Sequence, residues 1–502
     1  MLKGVRHGAR LFVVDPRRSS SAQWADVWLG VDVGADISLA NAMAREIIVA
    51  GLAHEKFIEN ATSGFEAYRA CVDKYTLERA ERETGVPGEV IRQTALAYAK
   101  AERAVICWTL GITEHHNAVD NVVALINLAI LTGHVGCYGS GVNPLRGQNN
   151  VQGGGDMGAI PDRLPGFQHV ENDELRAKYE REWGVKIPPQ RGRNLSNMFE
   201  AMEHGKMTCA YVLGENPADS EADRHHARRL LGGLEFMVVQ DLFYTKTAEL
   251  ADVILPGCAG WCESEGTVTN SERRVQRVRA AVPMPQGVRD DIEIVYEIAR
   301  RMGHEWGQPD AESIWNEVRR NSPMHAGMSY RRLEELGGIQ WPCYDESHPG
   351  ELFLHGRLWQ TPVVGPRAPF QVVEFEPPVD QLDADFPIRL TTGRRLDSYN
   401  TGVQTAAYGS PLRRREAIDL SPEDGERYHV SEGERVRVSS RRGSVMAPVR
   451  FDPALRPGLA FLSVHFHEQV ATNDLTIEAV DPKSGTSEFK ATAVRIEKTQ
   501  EN

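Results

Sequence analysis

GHVGCYGSGVNPLRGQNNVQGGGDMG, residues Gly133 to Gly158, holds nine of the chain's 45 glycines, one arginine (Arg146) and five side-chain amides (Asn143, Gln148, Asn149, Asn150, Gln152). Glycine loses more backbone entropy on folding than any other residue, so no helix or strand is expected here without outside support. Glycines let a ligand approach the backbone, amides offer paired donors and acceptors, and one guanidinium can grip an anion with two prongs. Two readings stay open: a long surface loop of turn residues, or the wall of a site for a large polar cofactor and a small anion. The stretch follows an apolar helical pattern, VVALINLAILTG (Val122 to Gly133), and almost lacks the Lys, Glu and Ser of disordered linkers, which favours the wall.

Upstream, a short buried strand is expected at Arg10 to Val14, ended by Asp15-Pro16-Arg17-Arg18, and a helix from about Ser38 to Ala50 with Leu39, Met43, Ile47 and Ile48 on one face. Strand, polar turn and helix make half of a doubly wound α/β layer, whose ligands sit at the carboxyl ends of strands. Asp15, Arg17 and Asp36 (in Gly34-Ala35-Asp36) therefore lie at a candidate edge, although as isolated residues they also read as caps. A helical stretch from Phe65 to Glu83 and a helix from Glu89 to Lys100 precede a strand at Arg103 to Cys107, which ends in the crest Trp108 to His116. His115 and His116, as sequence neighbours, are expected to point to different sides.

Downstream, Leu164 to Arg193 reads as an excursion with one short helix. A second α/β unit follows: strands at Thr208 to Leu213, Glu235 to Val239 and Asp252 to Leu255, with a helix at Glu221 to Leu231. Trp261 to Arg279 reads as a charged strand pair, and the proline-bearing stretch Pro342 to Pro387 marks a boundary. The final part changes to short alternating strands with a hairpin at Ser439 to Gly443, a small β-barrel. His465 and His467 would share a strand face there.

The fold class expected is thus α/β, with two doubly wound parallel-sheet domains and a carboxy-terminal β-barrel. The domain spans are 1–146, 147–257, 258–385 (connecting helices and charged strands) and 386–502. At 502 residues more than one core is required. A net charge of −13 disfavours nucleic acid and anionic membrane surfaces as partners, no window has the anatomy of a membrane span, and the cytoplasm is the expected compartment. The seven cysteines form no C-x-x-C pair, so no local zinc or iron–sulfur site is expected.

Read together, VVDPR, GITEHH, ILTGHVG, NPLRGQNNVQGGGDMGAIP, GENPADSEAD, VVQDLFYTKTAELADVILP, ESEGTVTNSERRVQ, TTGRRLDSYNTG and DPKSGTSEFKATAVRIE resemble, in order, the molybdenum or tungsten bis-pterin guanine dinucleotide oxidoreductases. Within them, NPLRGQNNVQG is similar to the formate dehydrogenase alpha subunit. The resemblance implies a metal bis(molybdopterin guanine dinucleotide) cofactor and interconversion of formate and carbon dioxide. It places Asp15, Arg17, Gly34 and Asp36 at one guanine dinucleotide, and Leu110, Gly111 and Glu114 beneath the pterins, with Glu114 standing where many relatives have glutamine. Gly147 and Gln148 join the cofactor set. Gly214, Glu215, Asn216, Gln240 and Asp241 correspond to the other guanine's edge, and Asp291 to another nucleotide contact. Ser264 stands where many relatives carry lysine. Thr392, Gly393, Arg394, Asn400, Thr401, Phe466, Asn473 and Lys490 correspond to the cap over both pterins, and Arg146 to the arginine that orients formate.

In that family the catalytic cysteine or selenocysteine and a four-cysteine [4Fe–4S] segment lie upstream of VVDPR. The resemblance therefore implies no metal ligand in this chain, which by itself is expected to be inactive. The missing part belongs to a second polypeptide, with iron–sulfur or flavin electron-transfer subunits as partners, or was lost by truncation. A scaffold that kept the fold and lost the metal, like the large subunit of NADH dehydrogenase, is the alternative.

Overall fold

Asp36–Val49 is a helix with ten buried residues, from Ile37 round to Ile47, and against it pack the helices Leu77–Thr84, Gly88–Lys100 and Ala118–Thr132. A helix this apolar on most sides belongs inside a layered core. The computed structural model describes residues 2–402 and 415–499, which divide into two units, each built from separated segments. The first comprises Met1–Asn143, Pro217–Arg229 and Leu354–Asn502; the second comprises Pro144–Asn216 and Leu230–Phe353.

In the first unit Phe12–Val14 pairs in parallel with Val27–Leu29, as a doubly wound start requires. The helical stretch read as Phe65 to Glu83 is two helices, Phe65–Val72 and Leu77–Thr84. The break falls where the Thr76 hydroxyl caps the second, accepting from Arg79 N at 3.3 Å. The carboxy-terminal strands close a six-stranded barrel in the order Ile388–Gly393, Leu459–Ser463, Ile418–Leu420, Ser444–Phe451, Arg435–Ser439, Thr492–Lys498. Two neighbour pairs are parallel, Ile388–Gly393 with Leu459–Ser463 and Ile418–Leu420 with Ser444–Phe451, and Ser439 pairs with Ser444 across the expected hairpin. Closure removes every free strand edge.

The change of unit at residues 353 and 354 falls inside the proline-bearing stretch, but the chain beyond it is no linker. Ala368–Pro369 pairs in parallel with Thr62–Ser63, and Leu358, Phe370 and Val373 are buried in the core around the Asp36–Val49 helix. Apolar residues between the prolines decide this, because burying them outweighs what the prolines cost in regular structure.

In the second unit Cys209–Leu213, Phe236–Asp241 and Val253–Pro256 form a parallel sheet with Phe236–Asp241 in the middle. Gly266–Thr269 and Arg274–Val278 are the expected charged pair, antiparallel, extended by Ile339–Gln340. Their core holds Val275, Trp315, Met328, Leu333 and Ile339. The glycine-rich stretch departs from expectation: Gly141–Pro144 is a strand and Val151–Asp156 a short helix. Outside support stabilises that helix. Asn150, at φ 60°, turns its Oδ1 to accept from Thr269 N at 2.9 Å, tying the helix start to the strand Gly266–Thr269.

Candidate functional site

In the first unit the crest after the strand Val105–Trp108 begins with Leu110 and Gly111, which open the helix Leu110–Thr113. Glu114 follows, and its Oε2 meets Lys490 Nζ at 2.6 Å. Lys490 Nζ also donates to Thr392 O at 3.1 Å, and the Thr392 hydroxyl donates to Phe489 O at 2.8 Å. Three expected site residues from distant parts of the chain thus meet. Beneath them lies Glu488, fully buried: Oε1 accepts from the backbone N–H groups of Lys490 (2.8 Å) and Ala491 (3.0 Å), Oε2 from His116 N (3.1 Å).

His115 and His116 do not diverge as expected, since both Nδ1 atoms face Glu488 Oε2, at 3.2 and 3.5 Å. The turn that follows Leu110–Thr113 folds both rings inward. Burial by itself raises the Glu488 carboxyl, but the charge and hydrogen bond of His115 reverse this and hold it well below the usual carboxylate range. Burial pushes the imidazole of His115 down, and the facing carboxylate brings it above its ordinary value. Asp36, at the start of its helix, is raised by burial, against the pull of His115.

The same unit holds Asp15 at the end of Phe12–Val14, its Oδ1 accepting from Arg17 N at 2.8 Å; burial raises its carboxyl. The Arg17 guanidinium lies 3.6 Å over the Phe461 ring. Gly34, at φ +87°, leaves no room for a Cβ, which would stand 2.9 Å from Pro378. Gly393 ends its barrel strand beside Phe461, and Arg394 Nε donates to Asn400 Oδ1 at 3.1 Å, with Thr401 next in chain. Phe466 and Asn473 are buried, and Asn473 Nδ2 donates to Asp219 O (3.2 Å) and Ser220 O (3.1 Å). His465 and His467 share no strand face, because the strand stops at Ser463. His465 accepts from Arg395 N at 2.8 Å and its Nδ1 meets Asn400 O at 2.7 Å, so backbone groups hold both nitrogens.

In the second unit Arg146, Gly147 and Gln148 lie between the strand and the helix of the glycine-rich stretch. Arg146 is exposed, donates from its backbone N to Ser271 Oγ (3.2 Å) and from Nε to Gln152 Oε1 (3.2 Å). Its terminal nitrogens meet no partner among the described residues. The parallel sheet brings together the other expected edge. Gly214 N donates to Gln240 O (2.8 Å), and Gln240 Nε2 donates to Asp291 Oδ1 (2.6 Å). Asn216, next to Glu215, accepts through Oδ1 from Thr247 N (3.2 Å) and Oγ1 (2.8 Å). Asp241 accepts from Leu242 N at 2.6 Å. Burial raises the carboxyls of Asp241 and Asp291. Ser264 donates its hydroxyl to Asp290.

Sequence reasoning missed Glu488 as the hub of the first crest, and Asp156, which reaches Arg146 through the amide of Gln152. The separation of 373 residues between His115 and Glu488 hides the first, while the i,i+4 spacing of Gln152 and Asp156 could have found the second. Among the described residues one trio, Asp223, His226 and Glu478, brings possible metal-ligand atoms within 4.8 Å of one another. Hydrogen bonding accounts for it: His226 Nδ1 meets Glu478 Oε2 at 2.7 Å, and Asp223 Oδ1 accepts from His226 N at 3.2 Å. No helix among the described residues is long and apolar enough to cross a membrane.

Comparison with known proteins places these features. Residues 1–301 match the molybdopterin oxidoreductase family, and residues 388–493 match the molydopterin dinucleotide binding domain. The chain is 40% identical over 496 residues to the F420-dependent formate dehydrogenase subunit alpha of Methanocaldococcus jannaschii, covering 98% of this chain and 72% of that one. It is 36% identical over 503 residues to formate dehydrogenase H of Escherichia coli, covering 99% and 70%. With the assimilatory nitrate reductase catalytic subunit of Bacillus subtilis it shares 33% over 508 residues, covering 98% and 71%. Acetylene hydratase from Pelobacter acetylenicus has the same fold, with a TM-score of 0.75 at 20% identity over 99% of this chain and 75% of that one. The chain belongs to the molybdopterin oxidoreductase family, with formate dehydrogenase alpha subunits among its relatives.

Proposed function

We propose that this chain is the catalytic-subunit portion of a molybdenum or tungsten formate dehydrogenase, carrying out two-electron oxidation of formate to carbon dioxide or the reverse. The observation that carries the reading is Arg146, an exposed guanidinium tethered through Nε, whose terminal nitrogens meet no partner among the described residues. A small monoanion without an apolar body takes most of its binding from such a group.

The residues also fit a pterin guanine dinucleotide. Gly111 and Gly147 have nothing within 4 Å of an added Cβ and no positive φ, so the protein's own packing does not require glycine at either. Room kept open at those positions suits a large group lying on the backbone. Lys490, Arg17 and Arg394 supply donors for phosphates, and the buried Gln240 with the half-buried carboxylates of Asp241 and Asp291 suits the N–H edge of a guanine. When bound, the metal centre accepts the two electrons that leave formate. The protein's part is to bind and orient the anion through Arg146, hold Lys490 against Glu114, and keep the cofactor's charged groups in place. Cytoplasmic location and dependence on an electron-transfer subunit belong to the same proposal.

Metal and pterin analysis of the purified protein, with intact masses of all copurifying chains and a formate oxidation assay, tests it. Molybdenum or tungsten with two guanine dinucleotides and formate-dependent dye reduction is expected. A metal-loaded preparation that reduces nitrate and ignores formate would overturn the substrate assignment.

A further inference from the structure

The helix Val151–Asp156 places Gln152 and Asp156 one turn apart on the same face, four residues from each other. Gln152 Nε2 donates to Asp156 Oδ1 at 2.9 Å, and Gln152 Oε1 accepts from Arg146 Nε at 3.2 Å. A primary amide has one acceptor end and one donor end, so fixing either end fixes both. The Asp156 carboxylate fixes the donor end: its other oxygen, Oδ2, accepts from Trp341 Nε1 at 2.9 Å, and the residue is 1% exposed.

We propose that Asp156, acting through the Gln152 amide, is the positioning residue that holds the Arg146 guanidinium with its terminal nitrogens presented to a small carboxylate substrate. The proposal rests on the reading of Arg146 given above. Reversal of the Gln152 amide would set an NH₂ against the guanidinium, two donors facing each other, and Arg146 would swing away. The ionised Asp156 opposes that reversal because both its oxygens already accept hydrogen bonds.

Burial pushes the Asp156 carboxyl up to about 6, opposed by the hydrogen bonds from Gln152 and Trp341 and by the charge of Arg146, the charged side chain that acts on it. Gln152 and Trp341, its remaining side-chain neighbours, are neutral. Below that pH the carboxyl carries a proton that must itself be donated, one of the two acceptor positions is lost, and the lock on Gln152 loosens. Formic acid ionises at much lower pH, so the substrate stays an anion throughout this range.

The test uses the purified, cofactor-loaded complex, with formate affinity measured by calorimetric titration between pH 5 and 8 and kcat and KM alongside. The native protein is expected to lose formate affinity as pH falls through about 6. Asp156→Asn is expected to bind formate about tenfold more weakly at pH 7.5, as for one lost hydrogen bond to a charged group, with KM affected more than kcat and a flat pH profile. Gln152→Leu breaks the same chain one step later and serves if Asp156→Asn does not fold. Arg146→Ala separates the two claims. Loss of formate in Arg146→Ala with native affinity and native pH dependence in the other two variants overturns the positioning role alone; unchanged affinity in Arg146→Ala overturns the formate reading itself.

Discussion

The crest of the first unit pairs its carboxylates with nearby cations, whereas on the parallel-sheet edge of the second Asp241 and Asp291 form no ion pair among the described residues. Glu114 has Lys490, and Glu488 has His115 together with three backbone donors. Asp241 accepts from Leu242 N and Asp291 from the Gln240 amide, with the backbone N–H groups of Phe243 and Cys258 also acting on them, and burial raises both carboxyls. Paired charges fix a geometry and are costly to break; unpaired acceptors remain available to a ligand rich in N–H groups. The two crests thus differ: the first is an internally paired frame, and the second carries the acceptors that the proposal above assigns to a guanine.

The largest effect is expected at Arg146, an exposed cation of the second unit. Arg146→Ala in the loaded complex is expected to lower kcat/KM for formate by about 100- to 1000-fold, the loss seen when one preorganised electrostatic contact is removed. Thermal unfolding should barely change, because an exposed guanidinium with one side-chain hydrogen bond contributes little to stability. Unchanged kcat/KM would remove Arg146 as the group that binds formate.

The frame is tested at Glu488. Glu488→Gln removes the charge facing His115 and places an NH₂ near donors, which should destabilise the first unit by about 3 kcal/mol, as for breaking a buried ion pair. The pH dependence has a definite sign. Glu488 is depressed in the folded state, so its contribution is present above the unfolded carboxyl value and lost as pH falls through the folded one. His115 is raised, so its contribution is complete below the unfolded imidazole value and lost as pH rises through the folded one. Denaturant unfolding across pH should therefore show native stability highest between these limits, and the variant should flatten both flanks. Equal stability of variant and native protein at neutral pH would show that Glu488 is no hub.

A smaller effect is expected at Gly153, where an added Cβ would stand 1.9 Å from Asn150 Oδ1, the atom that accepts from Thr269 N. Gly153→Ala should cost about 1–3 kcal/mol through displacement of that link. If unfolding of the variant matches the native protein, the helix does not depend on Asn150.

How far these features could be read from sequence depends on the range of the interaction that makes them. The Asp36–Val49 helix and the barrel strands were legible because their apolar periods are local, and so was the hairpin joining Ser439 to Ser444. The helix Val151–Asp156 was not, because its support at Thr269 lies 119 residues from Asn150 and composition argues against it. The inward turn of both His115 and His116 was hidden for the same reason, since Glu488 is remote in sequence. Arg146 was singled out by resemblance and by its isolation among amides, while Asp156, linked to it through Gln152, went unnoticed although the spacing to Gln152 is a local signal.

Gly111 offers the finest distinction between frame and receiving surface. It lies in the helix Leu110–Thr113, where glycine is less favourable than alanine by about 0.5–1 kcal/mol, and an added Cβ would meet nothing within 4 Å. Its φ is not positive, so the backbone makes no demand for glycine either. Gly111→Ala should therefore leave the cofactor-free protein as stable as before or slightly more so. If the open space belongs to a bound dinucleotide, the same methyl group should lower the pterin content per chain, because it occupies volume the ligand needs. Thermal unfolding of the cofactor-free protein and pterin quantitation of the loaded protein separate the two effects. Raised stability with reduced pterin content supports a receiving surface at Gly111, and raised stability with full content would assign the open space to solvent.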